Sequence, residues 1–204
     1  FFKALLFLGA GSVIHAMSNE QDMRKMGGLA SRIKVTYVLM WIGSLALAGV
    51  GIPGTYIGFA GFFSKDIILE SAFAAQTSVG TFAFWMGIAA AFMTAFYSWR
   101  LLFMTFHGKH RCDAHTWDHV HESPKVMILP LFLLAAGALF SGVLGYHFFV
   151  GDGMDQFWGD SITVLPTHQA LELAHDVPFW VKALPLLVGM VGIGLAWWMY
   201  VARF

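Results

Sequence analysis

The sequence predicts an all-α fold, a polytopic transmembrane helix bundle of about five crossings with one crossing made by a discontinuous helix. Three observations predict it. Apolar residues make up 58% of the 204 positions and charged residues only 12%, with a mean hydropathy of +0.67, outside the range of a soluble domain of this length. Apolar stretches fall near residues 1–18, 35–63, 82–106, 126–150 and 179–201, each reaching or approaching the roughly 20 residues that cross about 30 Å of hydrocarbon. Of the connections between these runs, only alternate ones carry basic residues.

The first run, Phe1-Phe2-Lys3-Ala4-Leu5-Leu6-Phe7-Leu8, carries small residues at 9 to 12 that allow close helix packing. Lys3 stands near its start, either deep in the bilayer or as an interfacial anchor that snorkels. His15 is twelve residues further on, on another face, and reads as a boundary residue. The chain opens inside an apolar run and stops as another ends, so it reads as a piece of a longer protein, residues 1–204 forming one membrane domain. No signal-peptide pattern is present at its start.

Charge in the connections sets the topology. Arg24, Lys25, Arg32 and Lys34 lie in the first, Lys109, Arg111 and Lys125 in the third, and Arg203 follows the last run. The connection near 76–81 has no basic residue, and residues 151–178 hold Asp152, Asp155, Asp160, Glu172 and Asp176 without Lys or Arg. The positive-inside rule turns the basic loops to the cytoplasm or a mitochondrial matrix. This parity requires residues 35–75 to cross once, although they are about twice as long as one crossing needs. Their middle, Gly49-Val50-Gly51-Ile52-Pro53-Gly54-Thr55-Tyr56-Ile57-Gly58, is rich in residues that disfavour helix. The expectation is therefore helix over 35–50 and roughly 60–75 around an unwound stretch, a form that survives at membrane depth where protein buries it or it lines a wet cavity. A re-entrant loop or a plain proline kink is the alternative.

Lys65, Asp66 and Glu70 fall on the second half-helix. Asp66 and Glu70, four apart, share a face, and Lys65 points about 100° from Asp66. Ionised side chains inside a bilayer cost about 2.5–3.5 kcal/mol on insertion scales and usually serve ion or proton movement. A desolvated lysine whose carboxylate partner moves can load and release a proton. The competing reading has Lys65 and Asp66 capping a half-helix near the aqueous boundary. Arg100 and Lys182 read as anchors near helix ends, and His147 as an interfacial residue.

Residues 107–121 hold five of the nine histidines and the only cysteine, Cys112. Cys112, His115, His119 and His121 match no standard zinc spacing, so no metal site is expected. Glu122-Ser123-Pro124 reads as the start of the next helix. Residues 166–178 read as a short amphipathic linker on the acidic side, with a lid over a pathway exit as the alternative. Equal numbers of basic and acidic residues, twelve each, give no field that would recruit nucleic acid.

Five motifs in order, Phe1–Leu8, Gly11-Ser12-Val13-Ile14-His15, Lys25-Met26-Gly27-Gly28-Leu29, Gly61-Phe62-Phe63-Ser64-Lys65-Asp66 and Phe106-His107-Gly108-Lys109, resemble the subunit L (chain 5) family of proton-translocating NADH-quinone oxidoreductase, respiratory complex I. The resemblance spans essentially the whole chain and implies the second antiporter-like half of a membrane-arm subunit, driven by distant NADH-to-quinone electron transfer. It implies proton-translocation roles for Lys3, Lys65 and Asp66, with Lys65 the terminal donor toward the outer side. It further implies other membrane-arm subunits as partners and a bacterial inner membrane, or alternatively the mitochondrial inner membrane. NADH, FMN, iron–sulfur and quinone sites are then expected in other subunits. Nothing here resembles a Rossmann glycine fingerprint or an iron–sulfur cysteine cluster, so no cofactor is expected in this chain. The rival functions are a sodium/proton antiporter subunit and a scaffold in which Lys3, Lys65 and Asp66 form static ion pairs.

Overall fold

Helices form wherever the apolar runs lack glycine and proline clusters. The structure, a computed structural model, describes residues 1–162, 165 and 168–203. In chain order the helices are α1 (Phe2–Ala16), α2 (Lys34–Ala48), α3 (Ala60–Ala74), α4 (Ser78–Phe106), α5 (Ala114–His119), α6 (Lys125–Phe149), α7 (Met154–Trp158), α8 (Ala170–Ala174) and α9 (Phe179–Trp197), the last followed by a π-turn over Trp198–Ala202. Among the described residues the sole β contact is an isolated bridge between Gly51 and Gly58. α4, α6 and the α9 segment to Ala202 are long and apolar enough to cross a membrane, whereas α1 and α2 are shorter apolar helices.

The outer surface is what a lipid solvent selects. Phe7 is 79% exposed, Val126 84% and Leu133 75%, and apolar exposure on this scale is foreign to a soluble monomer. Buried contacts run through small residues, because lipid tails are as apolar as leucine and close packing must drive association. Gly9 lies under Met40, Gly43 under Leu5 and Leu6, and Gly192 against the α4 backbone at Phe92. The protein is thus an integral membrane protein built as a helix bundle.

α2 stops at Gly49, whose φ of +66° suits a residue without Cβ. The Gly49 N–H donates to Ala46 O (3.1 Å) and the Val50 N–H to Leu45 O (3.1 Å), a Schellman closure that satisfies carbonyls left open at the helix end. The following residues do not dangle. Ile52 N–H donates to Ile57 O at 2.8 Å and Phe59 N–H to Val50 O at 3.0 Å, so the stretch containing Pro53-Gly54 is a tight hairpin that returns the chain to its point of departure. α3 then begins beside the end of α2, with Gly61 directly against the Ala46 carbonyl, a spot no side chain could share.

α4 runs antiparallel to α2 and α3 taken together. Its first turns meet α3, with Phe84 and Phe73 ring centres 5.3 Å apart and Gly87 beneath Leu69. Its later turns meet α2, with Trp99 to Trp41 at 4.5 Å and Phe106 to Tyr37 at 5.1 Å. α2 and α3 therefore lie end to end along one 29-residue helix, rather than side by side.

The loops rich in basic residues gather at one end of the bundle. Gly28 N–H donates to His107 O at 3.1 Å. Arg111 donates through Nε to Arg24 O (2.9 Å) and through Nη2 to Met104 O (2.6 Å) and Met23 O (3.2 Å). Glu122 is no mere preface to α6: it accepts from Val35 N–H at 2.8 Å and Thr36 N–H at 3.3 Å, capping α2, while Pro124 takes the N-cap of α6. Asp22 is held down to about 2 by the hydrogen bonds of Arg24, its neighbour in the same exposed loop.

Candidate functional site

The break between α2 and α3 positions the candidate site. Lys65 stands on the second turn of α3 and reaches back to the carboxyl end of α2, donating from Nζ to Ala48 O at 2.8 Å and Gly49 O at 3.3 Å. Those carbonyls carry the negative end of the α2 macrodipole, and hydrogen bonds from a charged donor are worth about 1.5–3 kcal/mol each. The side chain is 20% exposed.

Asp66 is only 6% exposed, and its Oδ1 has no hydrogen-bond partner. The nearest cation is Lys65 Nζ at 3.8 Å, at the limit of an ion pair. Geometry explains the gap: adjacent helical residues diverge by about 100°, so an ammonium that caps α2 cannot also bond Asp66. A buried carboxylate left in this state is costly and marks the place as functional or strained.

Asp66 lines a cavity of about 190 Å³ with Glu70, Tyr146, His175 and Lys182, walled by Phe62, Phe63 and Ile67 and reached by Thr55 and Tyr56 from the hairpin. Tyr146 Oη and His175 Nε2 are 3.1 Å apart, and Lys182 Nζ donates to His175 O at 2.7 Å. Lys182 therefore faces the cavity instead of anchoring a helix end to lipid. The segment before α9 is folded onto the bundle: Ala174 is fully buried, with Leu171 and Val177 packed into the same cluster as Ile67 and Ala74. Pro166 and Thr167, at the start of the expected amphipathic stretch, lie outside the described residues.

Lys3 is elsewhere. It is exposed in the first turn of α1 and has no hydrogen bond or ion pair among the described residues, though Phe1 and Phe2 share a second cavity, about 290 Å³, with Ala60, Phe63 and Ser64 at the start of α3. The structure thus brings Lys65 and Asp66 together and leaves Lys3 apart. Glu70 was visible in sequence as the i+4 neighbour of Asp66; Tyr146, His175 and Lys182 carried no such signal, because only folding brings α6, the segment before α9 and the start of α9 to α3.

The histidine loop has local explanations. His119 and His121 use Nδ1 on the carbonyls of His115 (2.7 Å) and His119 (2.8 Å), and His110 stacks on Trp117 at 4.4 Å. His107 sits just past α4, its Nε2 2.9 Å from Tyr37 Oη, and burial lowers its pKa below the usual histidine value. Arg100 lies over the ring of Tyr200, in the π-turn that follows α9, at 5.6 Å.

Comparison with known proteins agrees with the motifs. The family NADH:quinone oxidoreductase/Mrp antiporter, TM, matches residues 1–94. NADH-quinone oxidoreductase subunit L of Rhodobacter capsulatus is 56% identical over 163 residues, 78% of this chain and 22% of that protein. NADH-ubiquinone oxidoreductase chain 5 of Marchantia polymorpha is 46% identical over 197 residues, 96% of this chain and 28% of that protein. The corresponding protein of Arabidopsis thaliana is 46% identical over 198 residues, 97% and 29%. The chain spans between a fifth and a third of the length of these relatives.

Proposed function

Because the chain belongs to the subunit L and chain 5 family of NADH-quinone oxidoreductases, we propose that it forms part of a proton-translocating membrane-arm subunit, moving protons through Lys65 and Asp66 with Lys3 on the same route. The observation that carries this reading is the Lys65 ammonium lodged on the broken end of α2 beside a buried Asp66 whose Oδ1 has no hydrogen-bond partner. If α3 shifts against α2, the ammonium loses the Ala48 and Gly49 carbonyls and comes nearer the carboxylate, which changes its hold on the proton. A buried pair that could be replaced by apolar side chains without loss of stability has no need of this geometry, which weighs against a static scaffold.

On this reading α2 and α3 make one discontinuous crossing, supported by the antiparallel run of α4 along both, and α1, α4, α6 and α9 bring the total to about five. The whole chain is one membrane domain with its basic loops on the cytoplasmic side of a bacterial inner membrane. Other membrane-arm subunits are its partners; nicotinamide, flavin, iron–sulfur and quinone chemistry belongs to subunits outside it, and no metal or cofactor is assigned here. A sodium/proton antiporter would share the broken helix, but the oxidoreductase names of relatives at 46–56% identity favour redox-driven transport.

The test is Lys65→Ala in the full-length protein, with NADH-driven proton transport and quinone reduction read in membrane vesicles after assembly is verified. Transport through this route falling about 100-fold or more, the lower range for loss of a proton-transfer group, in an assembled complex is expected. Normal assembly with normal transport makes Lys65 a helix cap and nothing more.

A further inference from the structure

α3 carries its two carboxylates in a direction. From Asp66 to Glu70 is one helical turn, about 6 Å, away from the break and toward the acidic connection. Both line the same cavity, which has room for a few waters at about 30 Å³ each. Asp66 is buried and its Oδ1 has no hydrogen-bond partner; the cavity is also lined by His175, in the segment that leads into α9 on the acidic side, and by Lys182, in the first turn of α9.

We infer that Glu70 is the next proton carrier after Asp66, and that the cavity it shares with Tyr146, His175 and Lys182 is the release vestibule toward the acidic side. This rests on the proton-translocation reading above. The step is a proton transfer without redox change: the Asp66 carboxylic acid gives its proton, through the cavity, to the Glu70 carboxylate. Glu70 then gives it to water on the acidic side, while Asp66 is left ionised to accept the next proton from Lys65. Lys182 is a positioning residue. Its ammonium, held by His175 O at 2.7 Å, faces the cavity and supports the ionised form of Glu70, the form able to accept. The Tyr146–His175 contact at 3.1 Å ties the segment before α9 to α6, and both residues line the vestibule.

The experiment compares Glu70→Gln, Glu70→Asp and Lys65→Ala in the assembled, full-length complex, reading protons moved per NADH oxidised in vesicles. Glu70→Gln is expected to lower that ratio, since losing a positioned proton-transfer group slows the transfer about 100-fold or more, and Glu70→Asp to restore it to within about twofold because the carboxylate is kept. If Glu70→Gln pumps normally while Lys65→Ala does not, the vestibule is refuted and the proton-translocation reading stands; if neither variant alters pumping, both fall. A second measurement does not depend on activity. Glu70→Cys, in a background without other cysteines, is exposed to a membrane-impermeant maleimide from each side separately. Labelling from the acidic side alone supports the vestibule, and labelling from the basic side alone, or from neither, overturns it.

Discussion

His107 shows how one residue at the membrane boundary can read pH. Burial beside α4 favours its neutral ring. In the unfolded chain the ring titrates near its ordinary value of about 6.5, so between the two values the unfolded state binds more protons and stability rises with pH. Its contribution is present above the unfolded value and is lost as pH falls through the lower folded value. Thermal melts of the solubilised full-length protein should therefore lose more stability between about pH 7.5 and 5.5 in the parent than in His107→Gln; parallel curves would mean the ring titrates freely. At the same scale, Lys65 and Asp66 were legible as charges in an apolar run, but their mutual geometry was not. Sequence offered capping and proton transfer as alternatives, and the structure has Lys65 capping the helix before its own, which leaves Asp66 without a hydrogen bond at Oδ1.

Among the elements, α2 is held at both ends by distant side chains. Lys65 takes its carboxyl-terminal carbonyls, and Glu122, 87 residues from Val35, takes its amino-terminal N–H groups. The negative carboxylate also suits the positive end of the helix dipole. Glu122→Ala is expected to cost about 1–2 kcal/mol, the upper part of the range for a lost N-cap, and Glu122→Gln distinctly less since its carbonyl still accepts. Melting midpoints of the solubilised variants test this; equal midpoints for Ala and parent would mean water replaces the cap. The glycine and proline density of residues 49–58 announced the interruption of the helix. It did not announce the hairpin, whose Ile52–Ile57 and Val50–Phe59 hydrogen bonds satisfy the backbone groups that the interruption frees.

Across the whole molecule, the two ends of the bundle are fastened differently. At the basic end Arg111, within the histidine loop, joins the first connection to the end of α4 through three carbonyls. At the acidic end a five-residue helix, α8, packs against α3 through Leu171 and Ala174, and one tyrosine–histidine contact ties His175 to α6. Arg111→Ala should loosen the basic end: with two or more charged hydrogen bonds gone, each worth about 1.5–3 kcal/mol, exchange of the Gly28 amide with deuterium should rise at least about 10-fold. Unchanged exchange at Gly28 would show that the glycine backbone contacts alone hold the two loops. The long separation of these partners in sequence is why the strap was unreadable there, while the confinement of basic residues to alternate loops was plain.

The sequence by itself determined that this is a membrane protein, how its apolar runs alternate with basic and acidic connections, where its longest run is broken into two helices, and which family it belongs to. Those follow from local quantities: hydropathy over a window, charge in a loop, glycine and proline in a row, and motifs in order. Only the tertiary structure decided that α2 and α3 stack along α4, that Lys65 bonds to α2 instead of Asp66, and that Glu70, Tyr146, His175 and Lys182 meet around one cavity. Contacts between helices far apart in the chain depend on close packing at small residues and on the direction each side chain leaves its helix, and neither is written in the composition of any single segment.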